Sequence, residues 1–153
     1  FTYSKVFLPD IVNGLYETAK LQIQPSVALL KDPVPDIFID TDRHRLVQIL
    51  SNLLSNAIKH TSKGEIRIGY NWDGTEKIRF FVADTGKGIP ADKQAQVFER
   101  FNKLDEFAQG TGLGLAICQI IIEHFGGYIT LESKEGEGST FIVTLPYTPG
   151  LSV

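Results

Sequence analysis

The stretch of residues 42–61 constrains the fold most, because two stripes of side chains run along it at helical spacing. One stripe is apolar, recurs every three or four residues, and comprises Leu46, Ile49, Leu50, Leu53, Leu54, Ala57 and Ile58. This pattern is typical of an amphipathic helix with one buried face. Asp42, directly before it, is a candidate N-cap.

The second stripe along this helix is polar and consists of Gln48, Asn52, Asn56 and Lys59. Asparagine is a poor helix former, since its amide competes for backbone hydrogen bonds, so two asparagines on one face indicate a specific role. The amides either form hydrogen bonds within the core or bind a ligand. From this helix alone, both interpretations stay open.

Composition is typical of one globular domain, with 153 residues of which 42% are hydrophobic and 22% charged. The formal charge of -3 includes no long run of one sign, which argues against a nucleic-acid partner. The single cysteine, Cys118, lies in an apolar helical pattern and fits packing in a reducing compartment. No apolar run approaches a membrane span, so we expect a cytoplasmic domain without direct membrane contact. The absence of methionine favours a fragment of a longer protein.

Hydrophobic periodicity divides the rest of the chain into alternating strands and helices. Before the central helix it predicts a strand at 1–7, a helix from 8 that Pro25 ends, and strands at 27–30 and 37–39. After it come a hairpin of strands 66–72 and 78–82, a short helix within 89–97, a helix at 115–125 and a hairpin of strands 128–133 and 140–145. The buried side of the helix at 115–125 is predicted to include Ala116, Ile117, Ile120 and Ile121.

This order of elements predicts an α+β fold, a two-layer sandwich of one mixed, mostly antiparallel sheet with three main helices on one face. The predicted domain covers residues 1–148, and residues 149–153 form a loose tail.

Two glycine-rich stretches follow predicted elements. Asp84-Thr85-Gly86-Lys87-Gly88 places a carboxylate at the end of a strand, where glycines let the backbone and a ligand approach closely. Gly110-Thr111-Gly112-Leu113-Gly114 follows a polar segment, and its alternating glycines discourage regular structure before Leu115. We therefore predict a movable lid over residues 102–114.

In their order and spacing, four stretches (NLLSNAIKH, DTGKGI, FERF and GTGLGLA) resemble the N, G1, F and G2 boxes of the ATP-binding catalytic domain of sensor histidine kinases. Those kinases belong to the ATPase superfamily that includes DNA gyrase and the MutL proteins. The resemblance covers nearly the whole chain, as far as GEGSTF, and NLLSNAIKHT and GTGLGLA are specific to the kinase branch. It implies the Bergerat-type ATP-binding fold, with ATP and Mg²⁺ as cofactors.

The resemblance also implies a role for each matching residue. Asp84 would accept a hydrogen bond from the exocyclic amine of adenine, with Gly86 and Gly88 allowing the base to lie against the backbone. Asn56 would hold Mg²⁺, supported by Asn52, while Lys59 would face the phosphates in a catalytic role. The other residues implied to contact the nucleotide are His60, Ile89, Gly110, Thr111, Gly112, Leu113, Gly114 and Thr140.

Some positions leave alternatives open. His60 stands where the family often has an aromatic residue, and an imidazole can still stack on the base. Lys103 stands where many members have an arginine that reaches the γ-phosphate; it keeps the charge without the planar fork, and Arg100 is a rival for this catalytic role. Ile89 and Phe141 are candidate walls of the base pocket, although core packing suits each of them as well.

The resemblance implies that a γ-phosphoryl group is transferred to a histidine on a separate dimerisation domain, within a His-Glu or His-Asp motif. No histidine here fits, because His44 precedes Arg, His60 precedes Thr and His124 precedes Phe. The expected partners are therefore the dimerisation domain of a dimeric parent protein and the receiver domain of a response regulator. The fragment itself is expected to be monomeric, on the cytoplasmic side of a membrane-anchored bacterial sensor.

Two alternatives remain. The chain could be a nucleotide-sensing module that binds without transfer, although the intact Asn56 and Asp84 argue against degeneracy. It could also be a self-contained ATPase of the gyrase or MutL type. Those enzymes usually place a carboxylate beside the metal-binding asparagine, whereas serine precedes both Asn52 and Asn56 here.

Overall fold

The computed structural model describes residues 1–98 and 111–148. Its elements in chain order are β1 (Ser4–Phe7), α1 (Leu8–Lys20), β2 (Val27–Lys31), β3 (Phe38–Thr41), α2 (Arg43–His60), β4 (Gly64–Asn71), β5 (Lys77–Asp84), α3 (Ala91–Gln94), a 3-10 helix (Ala95–Phe98), α4 (Thr111–His124), β6 (Tyr128–Lys134) and β7 (Gly138–Pro146). Arg100, Lys103, Gly110 and the predicted tail lie outside the described residues. Every described helix falls short of the length and apolar character that a membrane crossing requires.

The main sheet has five strands in the order β2-β4-β5-β7-β6. β2 and β4 are parallel, and the other pairs are antiparallel. Helices α1, α2 and α4 contact β4, β5 and β6 respectively, and apolar side chains of β4 and β5 are buried in the core while Ile129 and Leu131 of β6 are partly buried against it. The predicted α+β sandwich with a mixed, mostly antiparallel sheet is confirmed.

The prediction of a single sheet was wrong for the first part of the chain. β1 and β3 pair with each other in a separate antiparallel sheet of two strands. Pro33 and Pro35 lie between β2 and β3, and proline cannot donate a hydrogen bond to a strand ladder. β3 therefore leaves the main sheet and leads directly into α2.

Helix α2 begins as predicted. Asp42 is its N-cap, and Oδ1 of Asp42 accepts a hydrogen bond from the backbone N of Arg45 at 3.0 Å. Oδ2 of the same carboxylate accepts from the backbone N of Thr2 at 2.7 Å, which links the start of the chain to this helix. The predicted apolar stripe is buried, except that Ile58 is only partly covered.

Helix α4 corrects two predictions. It begins at Thr111, so the part of the predicted lid at 111–114 is helical despite its glycines. Each glycine costs about 1 kcal/mol of helix stability relative to alanine, and the burial that follows from Leu115 offsets this. Ile117 and Ile120 are 43% and 47% exposed rather than buried. Because residues 115–122 are apolar almost all round, their periodicity does not define which side faces the core.

Candidate functional site

The register of the sheet places Asp84 on the side that faces the helices. Residues directly opposite each other in antiparallel strands project from the same face. Asp84 is opposite Ile66 of β4, which is fully buried in the core, and opposite Ser139 of β7. Ser133 of β6 is in turn opposite Ser139, and their hydroxyl oxygens are 2.8 Å apart. The end of the sheet therefore presents one carboxyl group and two hydroxyls toward the helix layer.

The carboxyl group of Asp84 is half-buried. Its Oδ1 accepts a hydrogen bond from the backbone N of Gly86 at 2.9 Å. Burial raises the pKa of Asp84, while backbone hydrogen bonds from Gly86 and Ser139 and the charge of His60 act in the opposite direction. The backbone thus orients this carboxyl group at a position from which an amine donor on a ligand can be bound.

Gly86 and Gly88 allow the loop after β5 to pack tightly against two other elements. A Cβ at Gly86 would lie 2.2 Å from the carbonyl oxygen of His60, at the end of α2. At Gly88, which has φ of +69°, a Cβ would lie 2.1 Å from the carbonyl oxygen of Lys134. The backbone N of Lys87 donates to the carbonyl oxygen of His60 at 3.3 Å, and so the loop closes against α2. These two glycines therefore let the loop after β5 approach α2 and the β6–β7 turn closely.

Asn56, one turn before the end of α2, places a polar atom in the core. The residue is 7% exposed, and its Oδ1 accepts no hydrogen bond from the residues that the structure describes. The hydroxyl of Thr61, five residues later, is also buried and has no hydrogen-bond partner among the described residues. A buried polar group without a partner costs about 1–3 kcal/mol, so such groups suggest that a ligand completes them. An amide oxygen suits Mg²⁺, and Asn56 therefore fits the metal that the resemblance implies.

A cation at Asn56 would need further ligands from outside the described protein residues. Among these residues, no three His, Cys, Asp or Glu side chains lie together in a group that could hold a metal ion. Mg²⁺ commonly keeps waters and takes phosphate oxygens in such sites. The arrangement therefore fits a cation that arrives with a phosphorylated ligand.

His60 ends α2 beside the same loop and is half-buried. Burial lowers the pKa of His60, and the positive charges of Lys87 and Lys59 add to this effect, while Asp84 partly opposes it. The charges of Lys87, Lys59 and Asp84 thus all act on the imidazole at the end of α2. The surroundings favour the neutral imidazole, which can pack against a flat ligand without repelling the lysines.

Known proteins are similar to this chain in sequence and in fold. The family described as "Histidine kinase-, DNA gyrase B-, and HSP90-like ATPase" matches residues 41–149, which is well over half of the chain. The chain belongs to this ATPase family. Within the family, its relatives include the circadian input-output histidine kinase CikA of Synechococcus elongatus, which is 43% identical over 140 residues. That match covers 88% of this chain and 18% of CikA.

Two solved structures extend the comparison within the ATPase family. The catalytic domain of histidine kinase ThkA, in a nucleotide-free form, is 33% identical with a TM-score of 0.81, and the match covers 97% of this chain and 98% of that one. Full-length ShkA in complex with AMPPNP is 29% identical with a TM-score of 0.84, over 97% of this chain and 32% of ShkA. The sequence prediction of a histidine kinase catalytic domain is confirmed at the level of family and fold.

Several other residues that the sequence singled out lie elsewhere in this ATPase-family domain. Thr140 is opposite Ala83 and Glu132, so it lies on the face of the sheet away from Asp84. Phe141 is 2% exposed in the core. Ile89 is partly buried, and its backbone N donates to the hydroxyl of Ser133 at 2.8 Å. The structure thus brings His60 and Lys59 near the loop from Asp84 to Gly88, with Asn56 about one turn earlier on α2, and it does not bring Thr140 to them.

Sequence reasoning missed Ser139 and Thr61. Ser139 is buried directly opposite Asp84, and its backbone donates a hydrogen bond to the Asp84 carboxyl group. The strand period of two contains the signal, because Phe141 faces the core and a residue two positions earlier must face the same way. Thr61 could not be found in this manner, since it lies in a loop after α2.

A cavity also lies elsewhere in the described part of the chain. It is a groove of about 490 Å³ between α1 and α2, lined by residues such as Asp10, Thr18, Arg43, Ser51 and Asn52. Neither Asp84 nor Asn56 lines this groove. We place the candidate site by the buried polar atoms near Asp84, because these atoms need a partner and an open groove does not.

Proposed function

We propose that this chain binds ATP with Mg²⁺ and is the catalytic part of a sensor histidine kinase in a two-component system. In this role it would transfer the γ-phosphoryl group of ATP to a histidine on a separate dimerisation domain. The observation that carries the proposal is the buried amide oxygen of Asn56, which has no donor among the described residues, on the same side of the sheet as the half-buried Asp84.

Asp84 would bind the base. The backbones of Gly86 and Ser139 each donate one hydrogen bond to this carboxyl group, and its remaining lone pairs are available to the exocyclic amine of adenine. Guanine presents a carbonyl oxygen at the corresponding position, and a carboxylate would repel it. The hydroxyl of Thr61 lies close to Gly86, with its oxygen 2.8 Å from where a Cβ of Gly86 would be, and it would complete the polar contacts of the base.

The stripe on α2 would bind the phosphate end. When bound at Oδ1 of Asn56, Mg²⁺ would neutralise charge on the phosphates of ATP. Asn52 and Lys59 lie one turn before and about one turn after Asn56, so both can contact phosphates or their waters. The N-terminal backbone N–H groups of α4, at Thr111, Gly112, Leu113 and Gly114, would bind a phosphate as helix N-termini commonly do. Catalysis would rest on positioning and charge.

Lys103, or its rival Arg100, completes the proposal from the family resemblance as the cation that contacts the γ-phosphate, and Gly110 would offer a backbone N–H to the phosphates. The acceptor histidine would come from elsewhere in the parent protein, because His60 is half-buried in the site and neither His44 nor His124 precedes an acidic residue. The chain spans only 18% of CikA and 32% of ShkA, which agrees with further domains in a parent of this kind. We place the domain in the cytoplasm, with a receiver domain as the next phosphate acceptor.

Two measurements test this function. In calorimetric titrations with Mg²⁺ present, ATP should bind and GTP should bind far more weakly, and Asp84→Asn should lose the preference. With ³²P-labelled ATP, the chain should label the parent's dimerisation domain, supplied as a separate polypeptide, with the acid-labile bond of phosphohistidine. ATP binding without any label on that domain would leave a nucleotide-sensing module, and equal binding of GTP would contradict the role of Asp84.

A further inference from the structure

A hydrogen-bonded contact joins α4 to the polar stripe of α2. Cys118 of α4 is 0% exposed and is the one cysteine of the chain. Its Sγ lies 3.5 Å from Nδ2 of Asn52 and 3.7 Å from the carbonyl oxygen of Ile49. The Asn52 amide donates to the sulfur, and the S–H donates to the Ile49 carbonyl. The thiol is thus both acceptor and donor between two positions that are one turn apart on α2.

The thiol keeps its proton in this environment. Burial raises the pKa of Cys118 to about 11, although the hydrogen bond from Asn52 acts in the opposite direction. At neutral pH the sulfur therefore carries the proton that it donates to Ile49. A thiol of this kind is a packing and hydrogen-bonding group rather than a nucleophile.

The contact determines which way the Asn52 amide faces. The oxygen and nitrogen of this planar group lie on opposite branches, and rotation by half a turn would exchange them. Because the nitrogen donates to Cys118, the oxygen faces away from that sulfur. An amide oxygen binds a hydrated cation, whereas an amide nitrogen repels it.

We propose that Cys118 is a positioning residue, which holds Asn52 with its Oδ1 toward the Mg²⁺ of the nucleotide or the waters on that cation. The proposal rests on the proposed function for its ligand, but the contact between the two side chains is a property of the protein alone. Packing by itself would not require sulfur here, since an apolar residue of similar size would fill the same space. The thiol adds a donor and an acceptor at a position that contacts a ligand-binding amide.

The first experiment compares three single variants. Cys118→Val removes both hydrogen bonds and adds one methyl group, and Cys118→Ser restores a donor and an acceptor. Ile122→Val changes a fully buried neighbour by one methyl group and touches no polar side-chain atom. Calorimetry with Mg-AMPPNP should show affinity about 3- to 10-fold weaker for Cys118→Val, the range for one lost hydrogen bond. Cys118→Ser should stay within about 2-fold of the wild type, and Ile122→Val should be unchanged. Adenosine affinity should be equal in all four proteins.

A double-mutant cycle separates positioning from packing. In an Asn52→Ala background, Cys118→Val should have no further effect on Mg-AMPPNP affinity, because the residue it positions is gone. An equal loss in both backgrounds would mean that Cys118 acts by packing, and this result would overturn the proposal. The proposal would also be overturned if Cys118→Ser lost as much Mg-AMPPNP affinity as Cys118→Val.

A measurement on the free protein keeps this proposal separate from the proposed function. The side-chain amide resonances of Asn52 should shift in Cys118→Val and stay in place in Ile122→Val, as seen by ¹⁵N nuclear magnetic resonance. Unchanged resonances in Cys118→Val would contradict the contact itself. If the wild type fails to bind Mg-AMPPNP while these resonances shift as expected, the proposed function fails, and the role of Cys118 toward a cation fails with it.

Discussion

Asn56→Leu should stabilise the protein without ligand and abolish the part of nucleotide affinity that depends on Mg²⁺. Oδ1 of Asn56 is buried and has no donor among the described residues, and an unsatisfied buried acceptor costs about 1–3 kcal/mol. Leucine has the same branched shape and is the better helix former by a few tenths of a kcal/mol. Its extra volume offsets part of this gain. We therefore expect a net stabilisation of about 1–2 kcal/mol.

For a domain of this size, that gain corresponds to a rise in Tm of about 2–8 °C. Thermal denaturation followed by circular dichroism, without nucleotide, measures it, and calorimetry with AMPPNP at several Mg²⁺ concentrations measures the loss of metal dependence. The matched control is Asn13→Leu on α1, because Oδ1 of Asn13 already accepts from Nζ of Lys31 at 2.9 Å. The control should keep its Mg²⁺ dependence and gain at most the helix propensity.

Two results would refute this reasoning. If Asn56→Leu lowers Tm while the control does not, the Asn56 amide has a structural role, and the interpretation of core hydrogen bonding was the right one. If Asn56→Leu keeps the wild-type dependence on Mg²⁺, Asn56 does not bind the metal.

Four further predictions concern the base, the loop, the imidazole and the lid. Asp84→Asn should lose most ATP affinity, which calorimetry measures. The variant should keep its Tm in thermal melts, since burial disfavours the charged form of Asp84 that the substitution removes. Gly86→Ala should destabilise the fold by about 1–3 kcal/mol in chemical denaturation, because the new Cβ would lie 2.2 Å from the His60 carbonyl oxygen. Gly14→Ala is the control and should not destabilise the fold, because there is open space around the new methyl group. The pKa of His60 is lowered from 6.5, so the folded protein favours the neutral imidazole. The stability that this neutral form contributes should be complete above pH 6.5 and be lost as the pH falls below it. His60→Gln should flatten this part of the plot of unfolding free energy against pH. Hydrogen exchange over residues 102–110 should slow more with an ATP analogue and Mg²⁺ than with ADP; equal strong protection in the free protein would rule out a lid.

Local patterns were sufficient for most of the architecture. Asp42 could be recognised as an N-cap because its side chain precedes the apolar stripe, and the hairpin of β4 and β5 followed from its alternating residues. Asp84 at the end of β5 could be found in the same way. These features depend on neighbours in sequence, which a pattern can describe.

Other features depend on partners that are distant in sequence. The pairing of β1 with β3 joins residues more than thirty positions apart, and nothing in either strand specifies the other. The side of α4 that faces the core is set by contacts with α2, because the helix is apolar nearly all round. The buried state of Thr61 Oγ1 likewise depends on the loop after β5, where Gly86 lies against it and the loop closes on the end of α2.

A crystal structure of the chain with AMPPNP and Mg²⁺ would show directly whether Asn56 and Asp84 bind the nucleotide. We expect a metal about 2.0–2.1 Å from Oδ1 of Asn56. We also expect the exocyclic amine of adenine at about 2.7–3.2 Å from the carboxyl group of Asp84. A nucleotide bound in the groove between α1 and α2, or at this site with its metal away from Asn56, would contradict these expectations.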